Sequence, residues 1–252
     1  MMAFCRKEGA ALLTALAFLS RLAPACRLEI SALSASVRYF AVAGLCIGAV
    51  QVAAPALLLC WRPDLPLFAA WLYVAGGFVV TRGLHWDAVA DMGDAWGSGA
   101  EGEAFWRVLK DSRMGAYGGM SLLLTFSLLA CCVFMLCAAG NWLALALAPA
   151  WGRLCGTLLA GAAAPRSAAQ VSLGGMACAG ATRPVCWVSA VLGGLAVFCW
   201  LPPPAALALC VCSAVLGGAL RGLAVRQGGL NGDFLGAGIL WCECLALCAA
   251  CL

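Results

Sequence analysis

Charged residues are scarce in this chain, making up 10% of its 252 residues against an apolar share of 65%. A soluble globular domain carries about 25% charged residues, so the scarcity excludes a chain built to face water on all sides. Stretches of alternating polar and apolar residues are also missing, and a membrane β-barrel depends on that alternation. No internal repeat is visible, which removes the usual signature of a transporter built from paired halves. The apolar start behind Arg6 and Lys7 lacks a clear small-residue cleavage site leading into a soluble domain. It therefore reads as a retained membrane element and not as a secretory leader.

What the chain does have is long apolar runs. A helix needs about 20 mostly apolar residues to cross the hydrocarbon core, and lipid offers the backbone no hydrogen bonds, so each crossing satisfies itself as a helix. Such runs lie near Val37–Cys60, Pro66–Leu84, Gly119–Ala139, Trp142–Ala164, Pro184–Leu201, Ala205–Val225 and Phe234–Leu252. The expected fold is an all-α polytopic membrane bundle of about seven spans in one domain. The shorter stretch Gly9–Leu19 is expected to be interfacial or re-entrant.

The loops sort by charge. If each run crosses once, the N-terminal region and the stretches 82–118, 165–183 and 226–233 share one side. That side takes nearly all the Lys and Arg, including Arg6, Lys7, Arg27, Arg38, Arg82, Arg107, Lys110, Arg113, Arg166 and Arg183. The opposite side has only short links around Arg62–Asp64, Gly140–Asn141 and Pro202–Pro204. The positive-inside rule then places the charged loops in the cytoplasm, and a bacterial inner (cytoplasmic) membrane is the expected location.

The 17 cysteines invite a disulfide or metal reading. Most sit within apolar runs, where a thiol behaves as a small hydrophobe. Cys248 and Cys251 form a lone C-x-x-C with no second pair and no neighbouring His, whereas a structural zinc site takes four ligands. So many thiols point to a reducing face and not to a secreted disulfide framework.

Acidic residues are few, and six of the eleven fall between Asp87 and Asp111. Asp87, Asp91 and Asp94 stand at i, i+4 and i+7. If the preceding span continues as a helix, the three carboxylates line one stripe of it. Anions so close repel one another, and the usual compensation is a hard divalent cation such as Mg²⁺, held by carboxylates and substrate phosphates. A merely solvated face would mix signs. His85, the lone histidine, precedes Asp87 by two residues and is a candidate to bind phosphate or move a proton. Lys110 and Arg113 bracket Asp111 and Ser112 and supply a basic pair suited to a diphosphate. Gly115, Gly118 and Gly119 permit close backbone approach at the mouth of the next span. Asp233 opens the last run, and Glu243 lies ten residues deeper, with Arg153 or Arg221 as its partner. A carboxylate at that depth is costly enough to be a functional candidate.

Together these stretches resemble the cobalamin synthase family of adenosylcobinamide-GDP ribazoletransferases. The family pattern runs approximately G-x-H-L-D-G-L-A-D-T-x-D-G, then K/R-D-S-R-x-G-x-x-G, then G-G-x-T-G-D-x-x-G-A. Matching positions are Gly83, His85, Asp87, Ala90, Asp91 and Asp94, then Lys110, Asp111, Ser112, Arg113, Gly115 and Gly118. They continue with Gly228, Gly229, Gly232, Asp233, Gly236 and Ala237. The opening F-L-T/S-R-L-P is matched through Phe18, Arg21 and Pro24. Trp86, Ala88, Ala95 and Asn231 depart from the pattern without removing a carboxylate or a base.

The resemblance implies transfer of the cobinamide phosphate of adenosylcobinamide-GDP to the 3′-hydroxyl of α-ribazole or its 5′-phosphate, with release of GMP. It implies Mg²⁺ on Asp87, Asp91, Asp94, Asp111 and Asp233, catalysis by the first three with His85, and substrate contacts from Lys110, Ser112, Arg113, Arg21 and Asn231. The expected partners are the two substrates and the lipid bilayer, with no nucleic acid, and an oligomer is compatible with the sequence. Two other membrane classes share part of this pattern. A CDP-alcohol phosphatidyltransferase also spaces aspartates helically but carries an Ala-Arg that this chain lacks at the matching offset. A cation-coupled transporter would place its ionisable groups at mid-membrane.

Overall fold

A computed structural model describes residues 2–24, 30–166 and 173–252. Within them the chain is helical, apart from an isolated bridge between Pro165 and Leu230. The helices are α1 (Met2–Leu19), α2 (Ile30–Ser36), α3 (Phe40–Trp61), α4 (Pro66–Thr81), α5 (Leu84–Gly97) and α6 (Glu103–Leu109). They continue with α7 (Ala116–Ala138), α8 (Trp142–Ala162), α9 (Leu173–Gly180), α10 (Arg183–Val197), α11 (Pro203–Arg226) and α12 (Gly232–Ala250).

Five stretches are long and apolar enough to cross a membrane, and seven are if each of two bent helix pairs counts as one. The five are Ala32–Trp61, α7, α8, α11 and α12, so the all-α membrane bundle is as expected. The two remaining runs behave differently. α4 and α10 have only 16 and 15 residues, and at about 1.5 Å per residue each falls short of the ~30 Å hydrocarbon core. Each is bent against a short neighbour, α4 with α5 by 90° and α9 with α10 by 80°. α1 extends the expected 9–19 stretch to 18 residues and packs on α2 and α3.

α8 and α12 form the centre, with 67% and 72% of their apolar windows buried, against 22% for the peripheral α11. α3 runs along α8, α12 lies between α8 and α5, and α5 lies between α12 and α7. Lipid removes the hydrophobic drive between helices, so close approach relies on small residues. A Cβ on Gly48 would come within 2.1 Å of the Ala146 carbonyl oxygen, and one on Gly152 within 2.5 Å of that of Ile239. Pro149 interrupts α8. A proline lacks the N–H that would bond four residues back, and the Tyr73 hydroxyl donates to the carbonyl left over, that of Leu145, at 2.8 Å.

The helix carrying the carboxylates is not a continuation of α4. Arg82 and Gly83 both take left-handed conformations, with φ of 59° and 67°, and the chain turns there. The strain at a non-glycine residue is offset by tertiary bonds: the Arg82 guanidinium donates to the Ala17 and Phe18 carbonyls at 2.9 and 3.1 Å. Those carbonyls belong to the last turn of α1, which has no helical donors of its own.

At one end of the bundle three of the charged loops meet. Leu230 N donates to Ala164 O at 2.9 Å and Arg166 N to Leu230 O at 2.8 Å. Trp106 Nε1 donates to Gln227 O at 2.8 Å, and Gly102 N to Gln227 Oε1 at 2.8 Å. Arg166 pairs with Glu103 and lies 4.8 Å over the Trp106 ring. Arg27 and residues 167–172 of the 165–183 loop lie outside the described residues. The described cysteines are free thiols, and Cys132, Cys137, Cys242 and Cys244 are buried in the apolar core.

Candidate active site

α5 is amphipathic. Val89, Met92 and Ala95 are buried on one side, and Asp87, Asp91 and Asp94 follow one another along the other. The expected stripe therefore exists, on a helix that starts at Gly83 and not on an extension of α4. Asp91, half-buried, lies within electrostatic reach of Asp87, Asp233 and Asp94. Asp233 reaches the cluster from the first turn of α12, a helix end whose dipole favours anions. Asn231 caps that helix, its Oδ1 accepting from Asp233 N and Phe234 N at 3.2 Å each. Its Nδ2 also donates to Asp233 Oδ2 at 2.7 Å, so it both starts α12 and orients the carboxylate. Asparagine caps at least as well as the threonine usual there. α5 and α12 approach closely at Ala88, where a Cβ on Gly236 would lie 2.6 Å from the Ala88 methyl.

Asp94 has a second task. Its two oxygens accept from Gly115 N at 2.6 Å and Gly118 N at 2.7 Å. These are the N-cap residue and the third helical residue of α7, so Asp94 caps a helix other than its own. A Cβ at Gly115 or at Gly118 would come within 2.4 Å of an Asp94 oxygen. The expected close approach at these glycines is thus a carboxylate meeting the backbone.

The basic loop is exposed. Arg113 grips Asp111 in a forked pair, Nε to Oδ1 at 3.0 Å and Nη2 to Oδ2 at 2.7 Å. The Arg113 guanidinium holds the Asp111 carboxyl well below its ordinary range, at about 2. Asp111 thus stands beside Arg113, whereas the carboxylates that act on Asp91 are Asp87, Asp233 and Asp94. Lys110 and Ser112 are exposed on the same loop. Arg21 is exposed beyond the end of α1, and its backbone N donates to Val80 O at 2.8 Å. That bond ties the opening motif to the last turn of α4.

His85 faces away from the carboxylates. It is buried, and its Nδ1 lies 3.3 Å from Arg153 Nη2. Arg153 is also the partner of Glu243, in a pair with side chains 2% and 6% exposed. Arg221, the other candidate partner, donates instead to Ala162 O at 2.8 Å. Gln51 on α3 lines the same interior cavity. It was not among the expected residues, although an amide in mid-span is a signal in its own right.

The cluster's donors are all carboxylate oxygens, a set suited to a hard cation. Among the described residues no three His, Cys, Asp or Glu side chains are already arranged as a metal cage.

The sequence profile of the family described as cobalamin-5-phosphate synthase matches residues 11–251. Adenosylcobinamide-GDP ribazoletransferases of Nitratidesulfovibrio vulgaris are similar along the chain. Those of strains DP4 and Hildenborough are 42% identical over 246 residues, covering 94% of this chain and 96% of theirs. That of strain Miyazaki F is 40% identical over 243 residues, covering 94% and 93%. No solved structure matches. With its four motifs on α5, α7, α12, the end of α1 and the loops around them, the chain belongs to the cobalamin-5-phosphate synthase family.

Proposed function

We propose that the chain is an adenosylcobinamide-GDP ribazoletransferase that works at the Asp87–Asp91–Asp94–Asp233 cluster. A hydroxyl of α-ribazole, or of its 5′-phosphate, attacks the cobinamide-proximal phosphorus. A new O–P bond forms, the P–O bond of the diphosphate bridge breaks, and GMP leaves. The proton of the attacking hydroxyl passes to a carboxylate of the cluster. His85 is turned toward Arg153, which favours a carboxylate over the imidazole as acceptor.

The observation that carries this reading is Asp91, whose charged neighbours are themselves carboxylates. A protein gains nothing in stability from crowding anions, so the arrangement makes sense as a receptor for positive charge. Asp87, Asp91 and Asp233 would hold Mg²⁺, with Asp94 adding an oxygen while capping α7. When bound, the ion supplies positive charge that offsets the charge on the substrate phosphates. Lys110 and Arg113, on the loop leading into α7, bind phosphate oxygens with Ser112, Arg113 exchanging its hold on Asp111 for the substrate. Asn231 orients Asp233, and Arg21 adds positive charge near the turn before α5. The one-sided distribution of Lys and Arg supports an inner-membrane protein with this site facing the cytoplasm.

The test is GMP release by membranes carrying the protein, supplied with adenosylcobinamide-GDP, α-ribazole 5′-phosphate and Mg²⁺. Release should require the acceptor and should stop with EDTA. No release above that of an Asp91→Ala control would contradict the assignment.

A further inference from the structure

Four buried polar residues of the bundle take no direct part in that reaction. Gln51 from α3, His85 from α5, Arg153 from α8 and Glu243 from α12 all line one interior cavity of about 20 Å³. All four are at most 6% exposed. Arg153 organises the group: it pairs with Glu243, donates to Pro149 O at 3.1 Å, and meets His85 Nδ1 at 3.3 Å. Three polar atoms of the group are buried without a protein partner among the described residues, namely Gln51 Oε1, His85 Nε2 and Arg153 Nε. Leaving such atoms unpaired is costly. A cavity needs roughly 10–15 Å³ open to a water-sized sphere, with two to four polar partners, to hold one water. This cavity has the room, and the residues that carry the three unpaired atoms all line it. Space for the Gln51 amide comes from Gly77, where a Cβ would fall 2.0 Å from Nε2.

The position of the group matters because it shares its helices with the carboxylate cluster. His85 precedes Asp87 by two residues on α5, and Glu243 follows Asp233 by ten on α12. Between the two groups the helices touch at Ala88 and Gly236. A shift of α5 against α12 at the buried end is therefore carried through that contact to the Asp87–Asp91 pair facing Asp233. We propose that Gln51, His85, Arg153 and Glu243 form a hydrated positioning site, completed by one buried water, that holds α5 in register with α12 and so sets the carboxylate cluster. The proposal rests on the reading of that cluster as the reaction site. His85 is then a positioning residue and not the proton acceptor.

Two substitutions of one residue separate the possibilities. Asparagine at position 85 can place a polar atom near where Nδ1 meets Arg153, and leucine cannot. GMP release per folded protein, the KM for adenosylcobinamide-GDP and the Mg²⁺ concentration for half-maximal rate are measured on His85→Asn and His85→Leu in nanodiscs. The expected result is that His85→Leu loses at least about tenfold in kcat and needs several-fold more Mg²⁺, while His85→Asn recovers a third or more of the wild-type kcat. Equal and near-complete loss in both would make the imidazole itself essential and overturn the proposal. Wild-type kcat and Mg²⁺ requirement in folded His85→Leu would overturn it as well, leaving only a structural role.

Should His85→Leu not fold, the double variant Arg153→Met/Glu243→Leu removes both buried charges together, a change that buried pairs often tolerate. It is expected to fold and to show the same kinetic defect; unaltered kinetics would again overturn the proposal. An experimental map near 2 Å should show one water between Gln51, His85 and Arg153, and a dry cavity there would contradict the hydrated site. Wild-type protein that releases no GMP would refute the functional reading itself, an outcome distinct from any of these.

Discussion

α5 and α12 each carry residues of two polar clusters, one at the end of the bundle where the charged loops meet and one in the interior. In the interior the charges are balanced: Arg153 faces Glu243, and both are almost fully buried. At the loop end they are not, because Asp91 is surrounded by Asp87, Asp233 and Asp94. A buried charge must be paired within the protein or it is not tolerated. Anions left together where water and ligands can enter repel one another unless a cation joins them, which is the role proposed for Mg²⁺. The difference is why we read the interior cluster as structure and propose the outer one as the site, although both stand on the same two helices.

Breaking the interior pair should have the largest effect on stability. Arg153→Ala leaves Glu243 buried and unpaired, and removing one partner of such a pair costs about 3–5 kcal/mol. Thermal unfolding in detergent should show it as a lost or strongly lowered transition. The outer cluster should respond in the opposite way. Asp91→Asn relieves repulsion, so the unfolding temperature should hold or rise. Mn²⁺ binding followed by electron paramagnetic resonance should weaken about tenfold or more, a loss of at least ~1.4 kcal/mol. Equal Mn²⁺ affinity in the two proteins would erase the contrast drawn here.

Asp94 belongs partly to each category, and Asp94→Ala should destabilise by about 1 kcal/mol through the lost cap on α7, together with a fall in GMP release. Arg113→Ala should leave unfolding unchanged, since exposed ion pairs stabilise little, and should raise the KM for adenosylcobinamide-GDP. The smallest effect belongs to Asn231→Thr, which keeps a capping oxygen and should change stability by less than about 0.5 kcal/mol.

Much of this was legible in the sequence. The apolar runs, the carboxylate spacing on α5 and the grouping of the charged loops all follow from periodicity and composition. The turn between α4 and α5 did not, because the left-handed Arg82 is held by carbonyls of α1 more than sixty residues away. No local signal reveals such a bond. The sequence offers Glu243 two arginines as partner, and only helix packing places Arg153 opposite it. Gly115 and Gly118 announced a close approach, but the identity of the approaching group, Asp94, depends on how α5 crosses α7. His85 sits beside the aspartates in sequence, yet it turns inward, because consecutive positions on a helix point in different directions.

The most direct test of the account is GMP release by folded Asp91→Asn protein, normalised to wild type, at saturating adenosylcobinamide-GDP, α-ribazole 5′-phosphate and Mg²⁺. The account predicts a loss of roughly 100-fold or more, equivalent to about 2.7 kcal/mol of transition-state stabilisation, with folded yield undiminished. Release at the wild-type rate would contradict the assignment of the α5 carboxylates as the reaction site.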